Sequence, residues 1–318
     1  MTKLAFLFPG QASQYPGMGR ELAERYPEAR AVFEEADQAL GFPISRLCFE
    51  GPEEQLKLTE NTQPAILTVS VAAWRVLEKS GVAPDYVAGH SLGEYSALVA
   101  AGGLAFCDAV VAVRKRGRYM QEAVPVGTGA MAAITRFPLA QLEEVCREAA
   151  QGEVVSPANI NSPDQIVISG HAAAVERAVE LAKQRGAKRA VLLPVSAPFH
   201  CALMRPAQQR LAADLEKLPF RDLRFPLVNN LAAWPIRAAE EARAGLIGQV
   251  SAPVLWEQSM RKLIEMGAAT FVEVGPGKVL CGLLRQIDSS VTGLHVQDEA
   301  SLETVQGLRS KVQGPIDA

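Results

Sequence analysis

The sequence predicts an α/β protein in which a large domain, built on a parallel sheet, carries a small inserted domain. Short apolar strand patterns alternate with helical patterns along most of the chain, as in layered α/β folds. A serine lies between two glycines where an apolar run gives way to a helical pattern, at residues 89–93. Residues 131–195 have a strand and helix order of their own, which indicates the insertion.

The bulk composition limits the classes of function. With 318 residues, 48% of them hydrophobic, the chain can bury a sizeable core. A net charge of −3 supplies no basic field, so we predict no nucleic-acid partner. The five cysteines include no C-x-x-C pair and indicate neither a disulfide framework nor a zinc site. No apolar run is long enough for a signal peptide core or a membrane span, so we expect a cytoplasmic protein without a membrane partner.

The large domain is predicted to comprise residues 1–126 and 198–318. Its first strand, at residues 4–8, is apolar and is closed by Pro9-Gly10. The other predicted elements of this domain are helices near residues 18–40, 64–80, 201–217, 240–250 and 254–266 and strands at 226–229 and 270–274. From residue 289 onward the pattern is too weak to predict an element.

The inserted domain is predicted to comprise residues 127–197. Its pattern has the order β-α-β-β-α-β, which is that of a ferredoxin-like unit. The GTG and SAP stretches at residues 127–129 and 196–198 have the composition of hinges. The predicted strands are 131–136, 154–162, 165–170 and 188–195, and the predicted helices are 138–151 and 172–186. The GTG stretch leads into a strand and not a helix, so we predict no dinucleotide cofactor.

Residues 89–93, Gly-His-Ser-Leu-Gly, fit the G-x-S-x-G turn of α/β-hydrolase-like sheets. Glycines on either side allow a turn so tight that the hydroxyl of Ser91 stands clear of the backbone. The helix that follows would place unpaired amide groups beside that hydroxyl, where an oxyanion could form. The alternative is that Ser91 only caps the helix.

A serine nucleophile needs a base, and the chain has four histidines. His90 should point away from Ser91 because neighbouring side chains on a strand alternate in direction. His171 begins a predicted helix and His295 lies in the unpatterned tail. His200 follows the insert, where a cleft between the domains would form, and is therefore the best candidate for the base.

An arginine occurs on the buried face of the helix predicted at residues 106–124. Arg116 follows Ala109 and Val113 at helical spacing, so it points with apolar groups and needs a partner. Two antiparallel helices of about ten residues each would return it to the level of Ser91. A guanidinium there could hold a substrate carboxylate with two parallel hydrogen bonds. The alternative is a structural pair with a buried Glu or Asp.

Several motifs together resemble the malonyl-coenzyme A:acyl carrier protein transacylase family over nearly the whole chain. The motifs are FPGQASQ at residues 8–14, GHSLGEYSA at 89–97, RGRYMQ at 116–121, Phe199-His200, and EVGPGK at 273–278. The resemblance implies an acyltransferase that moves malonyl from coenzyme A to the phosphopantetheine thiol of acyl carrier protein. It also implies a ping-pong mechanism through a malonyl-serine, for fatty-acid or polyketide biosynthesis.

The resemblance assigns a role to each matching position. Ser91 would be the nucleophile, His200 its base and Arg116 the clamp for the malonyl carboxylate. The main-chain carbonyl of Gln249 would orient His200. The backbone amides of Gln11 and Leu92 would form the oxyanion hole.

Two further positions bear on the resemblance. Phe199 would crowd an α-methyl group and so favour malonyl over methylmalonyl, by about 1–3 kcal/mol. The family often has a glycine at the position of Ala12, and we expect little consequence of this difference.

Three alternative functions remain open at this point. A serine esterase would need an acid such as Asp108 or Asp164 to orient the histidine. A patatin-like lipase would carry an Asp-Gly pair, which this sequence lacks. A non-catalytic docking subunit would have lost the nucleophile or the base. We expect a monomer whose partners are malonyl-CoA and acyl carrier protein, with no resident cofactor and no metal.

Overall fold

The computed structural model describes residues 3–195 and 197–312, with side chains up to residue 307. Residues 1–2 and 313–318 of the predicted large domain, and Ser196 of the predicted hinge, lie outside this part. The strands are β1 (Lys3–Phe8), β2 (Tyr86–Gly89), β3 (Gly129–Thr135), β4 (Val155–Ser162), β5 (Gln165–His171), β6 (Arg189–Leu192), β7 (Leu227–Val228), β8 (Pro235–Ile236), β9 (Ala268–Val274) and β10 (Thr292–Val296).

Helices connect most of these strands, as the alternating pattern predicts. They are α1 (Arg20–Arg25), α2 (Pro27–Leu40), α3 (Ile44–Glu50), α4 (Glu53–Leu56), α5 (Thr59–Lys79), α6 (Gly93–Ala100), α7 (Phe106–Glu122), α8 (Leu139–Ala150), α9 (Ala172–Gln184), α10 (Arg205–Leu215), α11 (Ala239–Gly248), α12 (Trp256–Glu265), α13 (Val279–Ile287) and α14 (Glu299–Val312). A short 3-10 helix at Ala202–Met204 precedes α10.

The larger sheet has six strands in the order β10-β9-β1-β2-β7-β8. All neighbouring pairs are parallel except β7 and β8, which are antiparallel. The prediction of a parallel sheet is therefore correct for five strands and wrong for the edge strand β8. A short return at Pro235–Ile236 reverses the chain direction there, and antiparallel edge strands on parallel sheets are common.

The larger sheet is covered on both faces. Successive residues of β1 belong to different hydrophobic clusters: Phe6 and Phe8 pack on one face, and Ala5 and Leu7 on the other. Helices α2, α5 and α7 cover the first face, and α12 and α13 cover the second. This arrangement explains why the central strand reads as a continuous apolar run, because both of its faces are buried.

The segment between β2 and β7 contributes a second sheet of four antiparallel strands, in the order β4-β5-β3-β6. Helices α8 and α9 pack on it, and the buried cluster that they form draws all its members from Ala132 to Ala190. The predicted last strand, 188–195, is shorter in the structure, at Arg189–Leu192. A Cβ built on Gly129 would lie 2.3 Å from the Pro198 ring, so the entry and exit of this segment adjoin each other.

The carboxyl-terminal part contains structure that the sequence pattern does not predict. Strand β10 forms the outer edge of the larger sheet, parallel to β9, and includes His295. Helices α13 and α14 flank it, and Leu302 of α14 is fully buried in the main cluster.

None of the helices in the described part of the chain combines the length and apolar character needed to cross a bilayer.

Candidate active site

The turn between β2 and α6 holds Ser91 in a strained backbone conformation. Ser91 has φ 51°, in the left-handed region that non-glycine residues seldom adopt. A Cβ on Gly89 would lie 2.0 Å from the carbonyl of Gly93, and a Cβ on Gly93 would lie 2.0 Å from the carbonyl oxygen of Phe8. Both glycines of G-x-S-x-G are thus required by close backbone approach, and the turn, called the elbow below, has the strand–turn–helix geometry of this motif.

The hydroxyl of Ser91 contacts an imidazole and a guanidinium. Its Oγ lies 2.7 Å from Nε2 of His200 and 3.1 Å from Nη2 of Arg116. Helix α6 begins at Gly93 without a side-chain capping hydrogen bond. The interpretation of Ser91 as a helix cap is therefore wrong, and the predicted meeting of Ser91, His200 and Arg116 is confirmed.

His200 is held in one orientation by its other ring nitrogen. Nδ1 lies 2.8 Å from the main-chain carbonyl oxygen of Gln249, which can only accept, so Nδ1 carries the proton. Nε2 is then free to accept the Ser91 proton. Burial, together with the positive charge of Arg116, lowers the pKa of His200 to about 3, so the ring is neutral near pH 7.

His90, next to Ser91 in sequence, points away from the Ser91 hydroxyl. Its Nε2 lies 2.8 Å from Oδ1 of Asn161 in β4, and its ring packs against Trp256. The expectation from strand alternation is confirmed, and His90 is not the partner of Ser91.

Arg116 is only 1% exposed and lies on the predicted face of α7 with Ala109, Val113 and Met120. Nη1 donates to Oε1 of Gln63 at 2.9 Å, and Nη2 donates to Oε1 of Gln249 at 2.9 Å. Burial lowers the pKa of the guanidinium. Its hydrogen bonds within the described residues go to amide and hydroxyl oxygens, so the alternative of a direct pair with Glu or Asp is wrong.

The predicted oxyanion hole adjoins the elbow. A Cβ on Gly10 would lie 2.6 Å from the carbonyl oxygen of His90, so the loop after β1 passes directly against the turn at Ser91. The backbone amides of Gln11 and Leu92 donate no hydrogen bond to any other residue in the described ranges. They are therefore available as donors, although the role of both residues stays a prediction.

Ala12 has a backbone conformation that glycine adopts without strain, and glycine is the residue that the transacylase family often has at this position. It has φ 80°, which costs a residue with a Cβ about 1–2 kcal/mol relative to right-handed backbone. Its amide donates to Oε1 of Gln14 at 2.9 Å, which helps to keep the loop closed.

Phe199 and the two candidate acids complete the predicted set. Phe199 is buried in the main hydrophobic cluster directly before His200, and its selectivity role stays a prediction. Asp108 lies in the first turn of α7, and Asp164 lies in the turn after β4, where its carbonyl accepts from the amide of Arg136 at 3.0 Å. Because His200 Nδ1 donates to a carbonyl of Gln249, no carboxylate orients the ring as a serine esterase would require.

Three residues of the site were not predicted from the sequence: Gln63, Asn230 and Glu94. Gln63 in α5 holds Arg116. Asn230 Oδ1 accepts from the Ser91 amide at 2.6 Å, and its Nδ2 donates to the Gly89 carbonyl at 2.7 Å, so it fastens both sides of the elbow. A signal existed for Glu94, because it is the one acid in α6, whose other residues are small, apolar or aromatic.

Comparison with known proteins places the chain in a family. The model of the acyl transferase domain matches residues 5–314, so the chain belongs to the acyl transferase domain family. It is 49% identical over 313 residues to a malonyl CoA-acyl carrier protein transacylase of Bacillus subtilis (98% of this chain, 99% of that protein). The Escherichia coli K12 protein of the same name is 48% identical over 303 residues, covering 95% and 98%.

Solved structures agree in fold. The malonyl CoA-acyl carrier protein transacylase of Coxiella burnetii superposes with a TM-score of 0.94 at 45% identity, covering 96% of this chain and 97% of that one. A malonyl-transacylase in complex with its type II PKS acyl-carrier protein has a TM-score of 0.94 at 46% identity, covering 96% and 99%. The chain thus belongs to the malonyl CoA-acyl carrier protein transacylase family, and it is an acyltransferase with an α/β fold and a mixed sheet.

Proposed function

We propose that the protein transfers malonyl from coenzyme A to the phosphopantetheine thiol of acyl carrier protein through a malonyl ester on Ser91. The observation that carries this proposal is that one oxygen, Ser91 Oγ, lies 2.7 Å from a neutral imidazole and 3.1 Å from a buried guanidinium. A base beside the nucleophile supports acyl transfer, and a cation beside it supports an acyl group that bears a carboxylate.

In the first half-reaction His200 Nε2 takes the proton of Ser91 as Oγ bonds to the thioester carbonyl carbon. The backbone amides of Gln11 and Leu92 would stabilise the tetrahedral oxyanion. Collapse breaks the carbon–sulfur bond, and His200 returns the proton to the departing thiolate of coenzyme A. The second half-reaction reverses these events, with the phosphopantetheine thiol as the attacking group.

Arg116 would bind the free carboxylate of the malonyl group. In a malonyl ester the carboxylate carbon is separated from Oγ by the carbonyl carbon and one methylene. The guanidinium already lies within hydrogen-bond distance of Oγ, so this short chain can reach it without moving the backbone. Phe199, buried beside His200, would crowd an α-methyl group and favour malonyl over methylmalonyl.

The wider setting is also part of the proposal. Residues 1–126 and 198–318 would form an α/β-hydrolase-like domain and 127–197 a ferredoxin-like insert, which the separate core of the second sheet supports. We infer a cytoplasmic monomer without resident cofactor or metal, which takes part in fatty-acid or polyketide biosynthesis. Free cysteines at all five positions suit a reducing compartment.

Initial-rate kinetics test the two half-reactions. With malonyl-CoA varied at several fixed concentrations of holo acyl carrier protein, we expect parallel double-reciprocal lines, because coenzyme A leaves before the carrier reacts. The apo carrier, which lacks the thiol, is the matched control and should accept no malonyl. Intersecting lines would contradict the malonyl-serine route, and loading of the apo carrier would contradict the proposed acceptor.

A further inference from the structure

The mechanism above makes no use of Glu94, a buried titratable group in the site. It follows Ser91 by one helical turn and is completely buried in α6. Its two oxygens differ. Oε2 accepts hydrogen bonds from Nε2 of Gln249 at 3.0 Å and from the amide of Asn230 at 2.8 Å, whereas Oε1 has no hydrogen-bond partner in the described part of the chain.

The bond to Gln249 determines which way the side-chain amide of Gln249 faces. With Nε2 directed at Glu94, the amide oxygen faces Arg116 and accepts from Nη2 at 2.9 Å. The flipped amide would put two donors together at Arg116 and two acceptors together at Glu94. Both contacts are buried, so neither could be repaired by solvent.

We propose that Glu94 is a positioning residue for carboxylate recognition: its Oε2 orients the side-chain amide of Gln249, which in turn holds the Arg116 guanidinium beside Ser91. This inference rests on the proposed function, since it assumes that Arg116 binds the malonyl carboxylate. It gives Gln249 two separate tasks, because the main-chain carbonyl orients His200 and the side chain orients Arg116.

The role requires an acceptor oxygen and not a negative charge. Oε1 is unpaired, so it can carry a proton while Oε2 continues to accept from Gln249 and Asn230. Burial raises the pKa of Glu94 to about 7, so both protonation states occur near neutral pH. Glu94→Gln would place an NH₂ group at the unpaired position and keep the accepting oxygen, whereas Glu94→Ala removes the acceptor.

The test measures acyl recognition apart from turnover. In a Ser91→Ala background, isothermal titration gives the Kd of malonyl-CoA and of acetyl-CoA, which lacks the carboxylate. Their ratio is the malonyl preference. We expect Glu94→Ala to reduce this preference at least tenfold, because Arg116 loses one of its two oriented amide partners. Glu94→Gln should restore it to within about threefold of the parent.

A matched control is available in Glu273 on β9. It is another fully buried acid with one oxygen unpaired and the other accepting from the amide of Cys281 at 2.8 Å. Glu273→Ala should weaken folding and leave the malonyl preference unchanged, so general loss of a buried acid is separated from loss of orientation.

Each outcome decides the proposal. A preference unchanged in Glu94→Ala, or lost equally in Glu94→Gln, would overturn it. If Glu94→Ala does not fold, Gln249→Met is the second variant, since it removes the side-chain amide and keeps the main-chain carbonyl for His200. We expect its malonyl preference to fall tenfold. A malonyl preference unchanged in Gln249→Met would also overturn the inference. Absence of any malonyl preference in the Ser91→Ala parent would instead overturn the carboxylate clamp itself, and this inference with it.

Discussion

At the scale of single residues, the site depends on polar side chains whose orientation is set by hydrogen bonds within the protein. Ser91 and His200 both adopt positive φ, 51° and 60°, which costs free energy that the surrounding packing must offset. The guanidinium of Arg116 has its terminal nitrogens bonded to Gln63, Gln249 and Ser91. The backbone conformation and these hydrogen bonds thus hold His200 and Arg116 against Ser91 Oγ before substrate binds.

Replacement of Arg116 should separate acyl recognition from folding. Under the proposed role, Arg116→Ala removes two charge-assisted hydrogen bonds to the malonyl carboxylate, each worth about 1.5–3 kcal/mol, so kcat/KM for malonyl transfer should fall at least a hundredfold. Arg116→Lys retains the charge without the fork geometry and should be intermediate. Normal malonyl loading by a folded Arg116→Ala protein would refute the clamp.

The pH profile of kcat/KM should show no fall in activity near the ordinary histidine pKa of about 6.5. Because the pKa of His200 is lowered to about 3, the imidazole stays neutral, and therefore able to accept a proton, down to about pH 5. The profile should be flat with respect to this group between about pH 5 and 8. The profile should be measured on the Glu94→Gln protein, because the pKa of Glu94 is about 7 and its own ionisation would fall in the same pH range. An activity loss centred near pH 6.5 in that variant would contradict a neutral buried base.

At the scale of elements, the turn at Ser91 is defined by the close approach of Gly93 to β1. A methyl group at Gly93 would collide with the Phe8 carbonyl oxygen at 2.0 Å, so the strand and helix cannot keep their spacing. We expect Gly93→Ala to destabilise the protein by more than about 3 kcal/mol or to abolish folding, as measured by urea denaturation.

The control for the elbow is Gly282, an exposed glycine within α13. A Cβ there meets nothing within 4 Å. Gly282→Ala should be neutral or stabilising by up to about 1 kcal/mol, since alanine is the better helix former. Equal stability of the Gly93→Ala and Gly282→Ala proteins would show that the close approach at the elbow is not required.

Helix α14 is an element that the sequence pattern did not predict, and its contribution can be measured. Leu302 is fully buried in the main cluster, so Leu302→Ala should lower the free energy of unfolding by about 2–5 kcal/mol. The neighbouring exposed Glu303→Ala should change it by less than about 0.5 kcal/mol. An unfolding midpoint of Leu302→Ala equal to that of Glu303→Ala would mean that α14 does not stabilise the core.

The elements show which information the sequence carries locally. Strand β1 was predictable from its continuous apolar run, and helix α7 from apolar residues repeated at 3.6-residue spacing, because both patterns indicate buried faces. Strand β10 was not, since it is a sheet edge with a glycine and partly exposed residues. Ser91, His200 and Arg116 were found from motif and pattern. Gln63, Asn230 and Glu94 were not, because their importance arises only from contacts between distant segments.

At the scale of the whole molecule, the site lies where the second sheet docks against the first. Oδ1 of Asn161 in β4 contacts His90 beside Ser91, and a bridge joins Asn159 to Val254. Ser162 also donates to Oε1 of Gln286 in α13 at 2.7 Å. His200 follows the last strand of the second sheet, which ends at Leu192, so the docking of the two parts affects where His200 lies relative to Ser91.

The most direct test of the central claim, that Ser91 carries the malonyl group, is the intact mass of the protein after brief exposure to malonyl-CoA. The account predicts one added malonyl on the wild-type protein, removed on addition of holo acyl carrier protein, and none on Ser91→Ala. Malonylation that persists in the Ser91→Ala protein, or a wild-type mass that never changes while the carrier becomes loaded, would contradict it.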